Sequence, residues 1–160
     1  MTYKANTQHM QAAINDVLQH LPHEPGGPFG ACIVKDGQII AVAHNTVLEN
    51  SDATCHAEIN AIRLASQALH SHNLSGCVIY STTEPCPMCF SAIHWAQIER
   101  IVFGSRIADV KALGFNELSI SNDILKQQGG SSVLIEPDFM RQECLDLLQV
   151  WQSTTAARVY

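Results

Sequence analysis

The sequence predicts an α/β protein, a three-layer α/β/α sandwich around a five-stranded mixed sheet. Three observations predict it: an amphipathic helix comes first, a β-hairpin follows, and helix and strand then alternate. Met10, Ile14, Val17, Leu18 and Leu21 recur at helical spacing, so the first helix covers 4–21, and Pro22 stops it. HEPGGPFG at 23–30 is a loop. ACIV and QIIAVAHN are strands, and Asp36-Gly37 between them is a hairpin signal. ENSDAT at 49–54 is a polar loop, and 56–70 is a helix carrying Ile59, Ile62, Ala65 and Leu69. A short buried strand at 77–82, a helix at 87–97 and strands at 100–104 and 131–136 follow. Pro137 opens a last helix with Met140, Cys144, Leu147, Leu148 and Trp151 on one face.

The 160 residues fit one domain, 1–160, with enough chain for a real core. Hydrophobic residues make up 46% and charged residues only 15%, which excludes a disordered tail. No apolar run approaches the ~20 residues of a membrane span. MTYKANTQHM lacks the apolar centre of a signal peptide, so a cytoplasmic protein is expected. Fifteen acids against nine bases give a net charge of −6, and no two bases are adjacent. A polyanion binder needs clustered positive charge, so a nucleic-acid partner is not expected. Cys32, Cys77 and Cys144 lie in apolar settings and read as small buried hydrophobes. His44, His70, His72 and His94 have no metal partner at sensible spacing, and Trp95 reads as packing.

Two stretches carry chemistry: Cys55-His56-Ala57-Glu58, and Glu84-Pro85-Cys86-Pro87-Met88-Cys89. Together they spell H-x-E followed by P-C-x-x-C, each at a helix start, which is the signature of zinc deaminases. Zinc accepts imidazole nitrogen and thiolate sulfur in a tetrahedron. Cys86 and Cys89 are three apart, so one helical turn puts them on one side, and a helix N-terminus favours thiolate. His56 supplies the third ligand, and the fourth position is left to a water whose pKa the metal lowers. Glu58 then acts on the water and the leaving group, not on the metal. A closed site that also uses Cys55, and a C-x-x-C redox pair, are the alternatives. Adjacent residues rarely aim at one ion, and a redox pair leaves His56 and Glu58 without a role.

The sequence resembles the cytidine-deaminase-like superfamily and, within it, the bacterial guanine deaminases. The resemblance rests on GGPFGACIVKDG, Asn45, SDATCHAEINAIR, EPCPMCFSAIHWA, Gly114-Phe115 and Tyr160. It implies zinc on His56, Cys86 and Cys89, with Glu58 shuttling the proton. It places Phe29, Asn45 and Ala57 at the base pocket. Glu117 falls where the family reads the purine with an acid, and stands where guanine deaminases usually carry Asp. Tyr160 matches a terminal tyrosine that can close the site. A homodimer is implied as well, with C-terminal segments that can be swapped.

The activity so implied is hydrolysis of guanine to xanthine and ammonia. A tRNA adenosine deaminase shares the zinc motif but needs a basic groove. Guanosine and cytosine are further candidate substrates of the same machinery. A silent, non-enzymatic relative would be expected to have lost Glu58.

Overall fold

Strands whose alternate residues are apolar on both sides need cover on both faces. Five such strands form one mixed sheet: β1 (Gly30–Lys35), β2 (Gln38–His44), β3 (Cys77–Thr83), β4 (Arg100–Ser105) and β5 (Leu134–Glu136). The computed structural model describes residues 3–23, 26–154 and 157–160. The spatial order is β2-β1-β3-β4-β5. β1 pairs antiparallel with β2 and β3, while β3–β4 and β4–β5 run parallel. Asp36 and Gly37 have φ of 49° and 77°, the doubly positive pair that a tight hairpin turn requires.

Helices α1 (Thr7–His20), α2 (Val47–Asn50), α3 (Ala57–Ala68), α4 (Pro87–Trp95), α5 (Ile107–Lys111), α6 (Asn122–Gly129) and α7 (Arg141–Gln152) complete the chain. Ile33, Ala43, Ile79, Ile101 and Phe103 pack with Ala61 and Ala65 of α3 and Phe90 and Ile93 of α4. Cys32, Val34, Tyr80 and Val102 point the other way, onto Met10, Ile14 and Val17 of α1 and Leu147 and Leu148 of α7. The three expected layers are present. Cys32, Cys77 and Cys144 are buried within them.

The differences from expectation are local. The loop expected at 49–54 overlaps the short helix α2 at its start, and α5 and α6 are not among the expected elements. The last helix starts at Arg141 rather than at Pro137, because Asp138 and Met140 take left-handed φ values of 60° and 49°. The loop at 23–30 falls partly outside the described residues. Trp95 does not pack: it is 81% exposed on α4. Among the described residues no helix is long and apolar enough to cross a membrane.

Gly104 of β4 shows how close α7 lies on the sheet. A Cβ there would sit 2.2 Å from Cys144 Sγ. Gly104→Ala should cost about 1–3 kcal/mol by overpacking, read from urea denaturation.

Candidate active site

Both motifs sit at helix starts, as their residue types favour. His56 is the N-cap of α3, and Glu58 lies in that helix's first turn. Cys86 is the N-cap of α4, Pro87 opens the helix, where a missing N–H costs nothing, and Cys89 completes the first turn. The two helix starts converge. His56 Nδ1 lies 3.6 Å from Cys86 Sγ and 3.6 Å from Cys89 Sγ. Zinc bonds of ~2.3 Å to sulfur and ~2.0 Å to nitrogen, at a tetrahedral angle, put such atoms about 3.6 Å apart. The donor set and its spacing therefore fit zinc. Cys55 Sγ is not part of the group; it lies 3.6 Å from Asn50 Nδ2 and 3.5 Å from Arg63 Nη1.

Glu58 is buried beside the cluster. Its Oε1 accepts the Ser81 hydroxyl at 3.0 Å, and its Oε2 lies 3.4 Å from Cys89 Sγ. Burial, followed by the neighbouring Cys86 thiolate, raises its pKa. The Cys86 thiol is brought down to about 4, chiefly by its hydrogen bond from Cys89, with help from His56. Cys89 moves far upward, because it donates to Cys86 and is buried.

A cavity of about 270 Å³ opens over this group. Phe29, Glu117 and Tyr160 line it with His56, Glu58 and Cys86, and so do Glu84, Phe115 and Asn116. Glu117 is half-buried, and burial lifts its carboxyl to about 6, with the Cys86 thiolate adding to the effect. Tyr160 stacks edge-on against Phe115 at 5.3 Å, and its carbonyl accepts the Asn116 N–H at 3.1 Å. A Cβ on Gly27 would lie 2.5 Å from the Tyr160 hydroxyl and 2.6 Å from the Phe29 ring, so only glycine admits both there.

Two of the sequence-derived residues are placed differently. Ala57 is fully buried in the core with Ala61 and Ala65, and its methyl does not line the cavity. Asn45 lines a small neighbouring cavity with Gly26 and Gly27. Its backbone N–H donates to the Phe29 carbonyl at 3.0 Å, and its Oδ1 accepts the Val47 N–H at 3.1 Å. The Asn45 amide and the Tyr160 hydroxyl lie side by side and interact there, with both polar ends buried.

Residues 3–105 match the family model of the cytidine and deoxycytidylate deaminase zinc-binding region. The chain belongs to this zinc-binding deaminase family. A guanine deaminase of Bacillus subtilis is 45% identical over 101 residues, which cover 63% of this chain and 65% of that protein. A tRNA-specific adenosine deaminase of Aquifex aeolicus is 47% identical over 78 residues, covering 49% and 52%. The match thus spans less than two thirds of either relative. The structure of a guanine deaminase from Nitrosomonas europaea superposes with a TM-score of 0.85 at 27% identity, covering 96% of this chain and 88% of that one.

Sequence reasoning about this deaminase-family chain missed Glu84 and Ser81. Glu84 is buried, and its carboxylate accepts the N–H groups of Asn122 at 2.9 Å and Ile107 at 3.3 Å. The available signal was a carboxylate directly before P-C-x-x-C with no base nearby in sequence. Ser81 carried no signal, since one hydroxyl in a strand is ordinary. Metal analysis after gel filtration checks the ligand set. His56→Ala and Cys86→Ser should lose the tightly held zinc, and Cys55→Ser should keep it.

Proposed function

We propose that the chain hydrolyses a free purine base, guanine, to xanthine and ammonia, with one zinc held by His56, Cys86 and Cys89. One observation carries the choice of base. The half-buried Glu117 carboxylate shares a cavity with Glu58, and Tyr160 covers that cavity from the same chain. An ionised carboxylate only accepts hydrogen bonds, and guanine presents adjacent N–H donors on its ring nitrogen and 2-amino group. Tyr160, which lines the same cavity, supplies a hydroxyl for an acceptor elsewhere on the ring.

When bound, the ion supplies the Lewis acidity that makes water nucleophilic near neutral pH. Ser81, which also reaches the Thr83 carbonyl at 2.6 Å, steadies Glu58 at Oε1, and Oε2 faces the metal-binding sulfur of Cys89. Glu58 takes one proton from water and delivers it to the ring nitrogen beside carbon 2, as the water oxygen bonds to that carbon. It then takes the second proton from that oxygen and gives it to the amine, so the carbon–nitrogen bond breaks as the new carbonyl forms. Guanine and water thereby become xanthine and ammonia. A carboxyl raised by burial suits both halves of this transfer better than an ordinary one.

The similarity to tRNA adenosine deaminases supports a second reading, in which the base belongs to an RNA loop. Scattered bases and a covered cavity weigh against it. The homodimer belongs to the same proposal. In that homodimer the C-terminal segments, whose Tyr160 lines the cavity, can be exchanged between the two copies.

Ammonia release from guanine tests the reaction. Glu58→Ala should keep zinc and fold but lose at least ~100-fold in turnover; full activity in that variant would refute the shuttle. Tight, salt-sensitive binding of an anticodon arm, with no release from guanine, would favour the RNA reading instead. Glu117 adds a pH test. Its folded pKa of about 6 lies above the unfolded 4.5, so ionisation costs stability as pH rises between them. Glu117→Gln should abolish that loss in denaturation measured across the window. In the native chain, kcat/KM for guanine should rise through pH about 6 as Glu117 becomes an acceptor, and Glu117→Gln should flatten the rise.

A further inference from the structure

Away from this cavity, three metal-binding side chains meet at the edge of the sheet. Asp16 and His20 are four apart near the C-terminal end of α1, so the helix puts them on one side. His44 is the last residue of the edge strand β2. Asp16 Oδ2 lies 2.7 Å from His44 Nδ1, and Asp16 Oδ1 lies 3.8 Å from His20 Nδ1. The two imidazoles stack, with centroids 3.8 Å apart and planes 21° from parallel. One ligand atom from each residue can be chosen so that all three lie within 4.8 Å of one another. Sequence spacing gave His44 no metal partner. The fold supplies two, one of them 28 residues away.

We propose that Asp16, His20 and His44 form a second divalent transition-metal site, independent of the His56 cluster. Nitrogen lone pairs lie in the plane of an imidazole, so a face-to-face stack does not consume them. His20 Nδ1 donates to the Asp16 carbonyl at 2.6 Å. In the neutral tautomer that bond leaves the lone pair on Nε2, the arrangement in which a backbone carbonyl orients a metal-ligating histidine. An ion bridging Asp16 and His44 takes the place of the proton they share, and binding releases it. Two ligands on one zinc stand roughly 3.3 Å apart, and the lone pairs of stacked rings run along near-parallel planes, so one imidazole turns out of the stack to share the ion. Side-chain exposures of 21% for Asp16, 37% for His20 and 19% for His44 leave one side open to water ligands.

Two imidazoles and a carboxylate favour zinc, cobalt, nickel or copper over calcium or magnesium. Glu49 lines the cavity on one side of the two histidines, and Arg63 lines the cavity on the other. The ion would pin the end of α1 to the end of β2. Asn45, the next residue, holds the Phe29 loop through its backbone N–H.

The test counts metal on the full, tag-free chain dialysed against buffered low-micromolar free zinc. The native chain should hold one zinc more per chain than His20→Ala or Asp16→Asn. Both replace partly exposed side chains outside the proposed catalytic group. In the native chain, zinc beyond the first equivalent should shift or broaden the ring-proton signals of His20 and His44. It should also raise the melting temperature, and neither variant should show that rise. Equal zinc counts in all three proteins, or ring signals that do not respond, would overturn the proposal.

Discussion

A buried carboxylate must find its partners inside the protein, because water cannot reach it. Glu84 finds them at the starts of two helices. It accepts from Ile107 at the start of α5 and from Asn122 at the start of α6, and its own N–H donates to the Ser105 carbonyl at 2.7 Å. Asn122 completes the tie by donating its side-chain amide to the Pro85 carbonyl at 2.6 Å. The P-C-x-x-C turn, the end of β4 and the segment between α5 and α6 are thereby held as one unit. That segment carries Phe115 and Glu117. The wall of the cavity and its floor of sulfur and imidazole thus depend on one side chain that need not touch a substrate.

The floor has its own electrostatic logic. Two sulfurs, an imidazole and the Glu58 carboxylate share a small buried volume, where negative charge is costly. The starts of α3 and α4 both point into that volume, and a helix start carries positive partial charge. Hydrogen bonds from Cys89 and His56 complete the compensation and bring the Cys86 thiol down.

What could be read from the sequence was local. Apolar alternation within each strand marked the sheet, and helical spacing marked α1, α3 and α7. His56, Glu58, Cys86 and Cys89 could be read because each lies within one turn of a helix start and so carries its geometry with it. The structure brings them together with Phe29, Glu117 and Tyr160, which the family resemblance pointed to. What could not be read depends on distance along the chain. Glu84 joins residues 23 and 38 positions away, and the α5 and α6 whose starts it holds are too short to carry much signal of their own. Ala57 shares a helix start with the cluster, but its direction from the helix sends the methyl into the core. Trp95 lies in an apolar segment, and nothing in that segment indicates that the fold leaves it uncovered.

The two tryptophans occupy opposite environments. Trp95 stands in solvent, whereas Trp151 is buried and donates its indole N–H to the Gly26 carbonyl at 2.8 Å. Trp151 lies 5.2 Å from Phe115, and Phe115 touches both Phe29 and Tyr160. The aromatic lining of the cavity is therefore continuous with a fluorophore in the core. Light emitted by the chain separates into two parts, a red-edge component from Trp95 and a blue-edge component from Trp151. A quencher dissolved in the buffer silences the first. The blue-edge component then reports the packing of Trp151 against Phe115 optically, without a label and without altering a residue of the cavity.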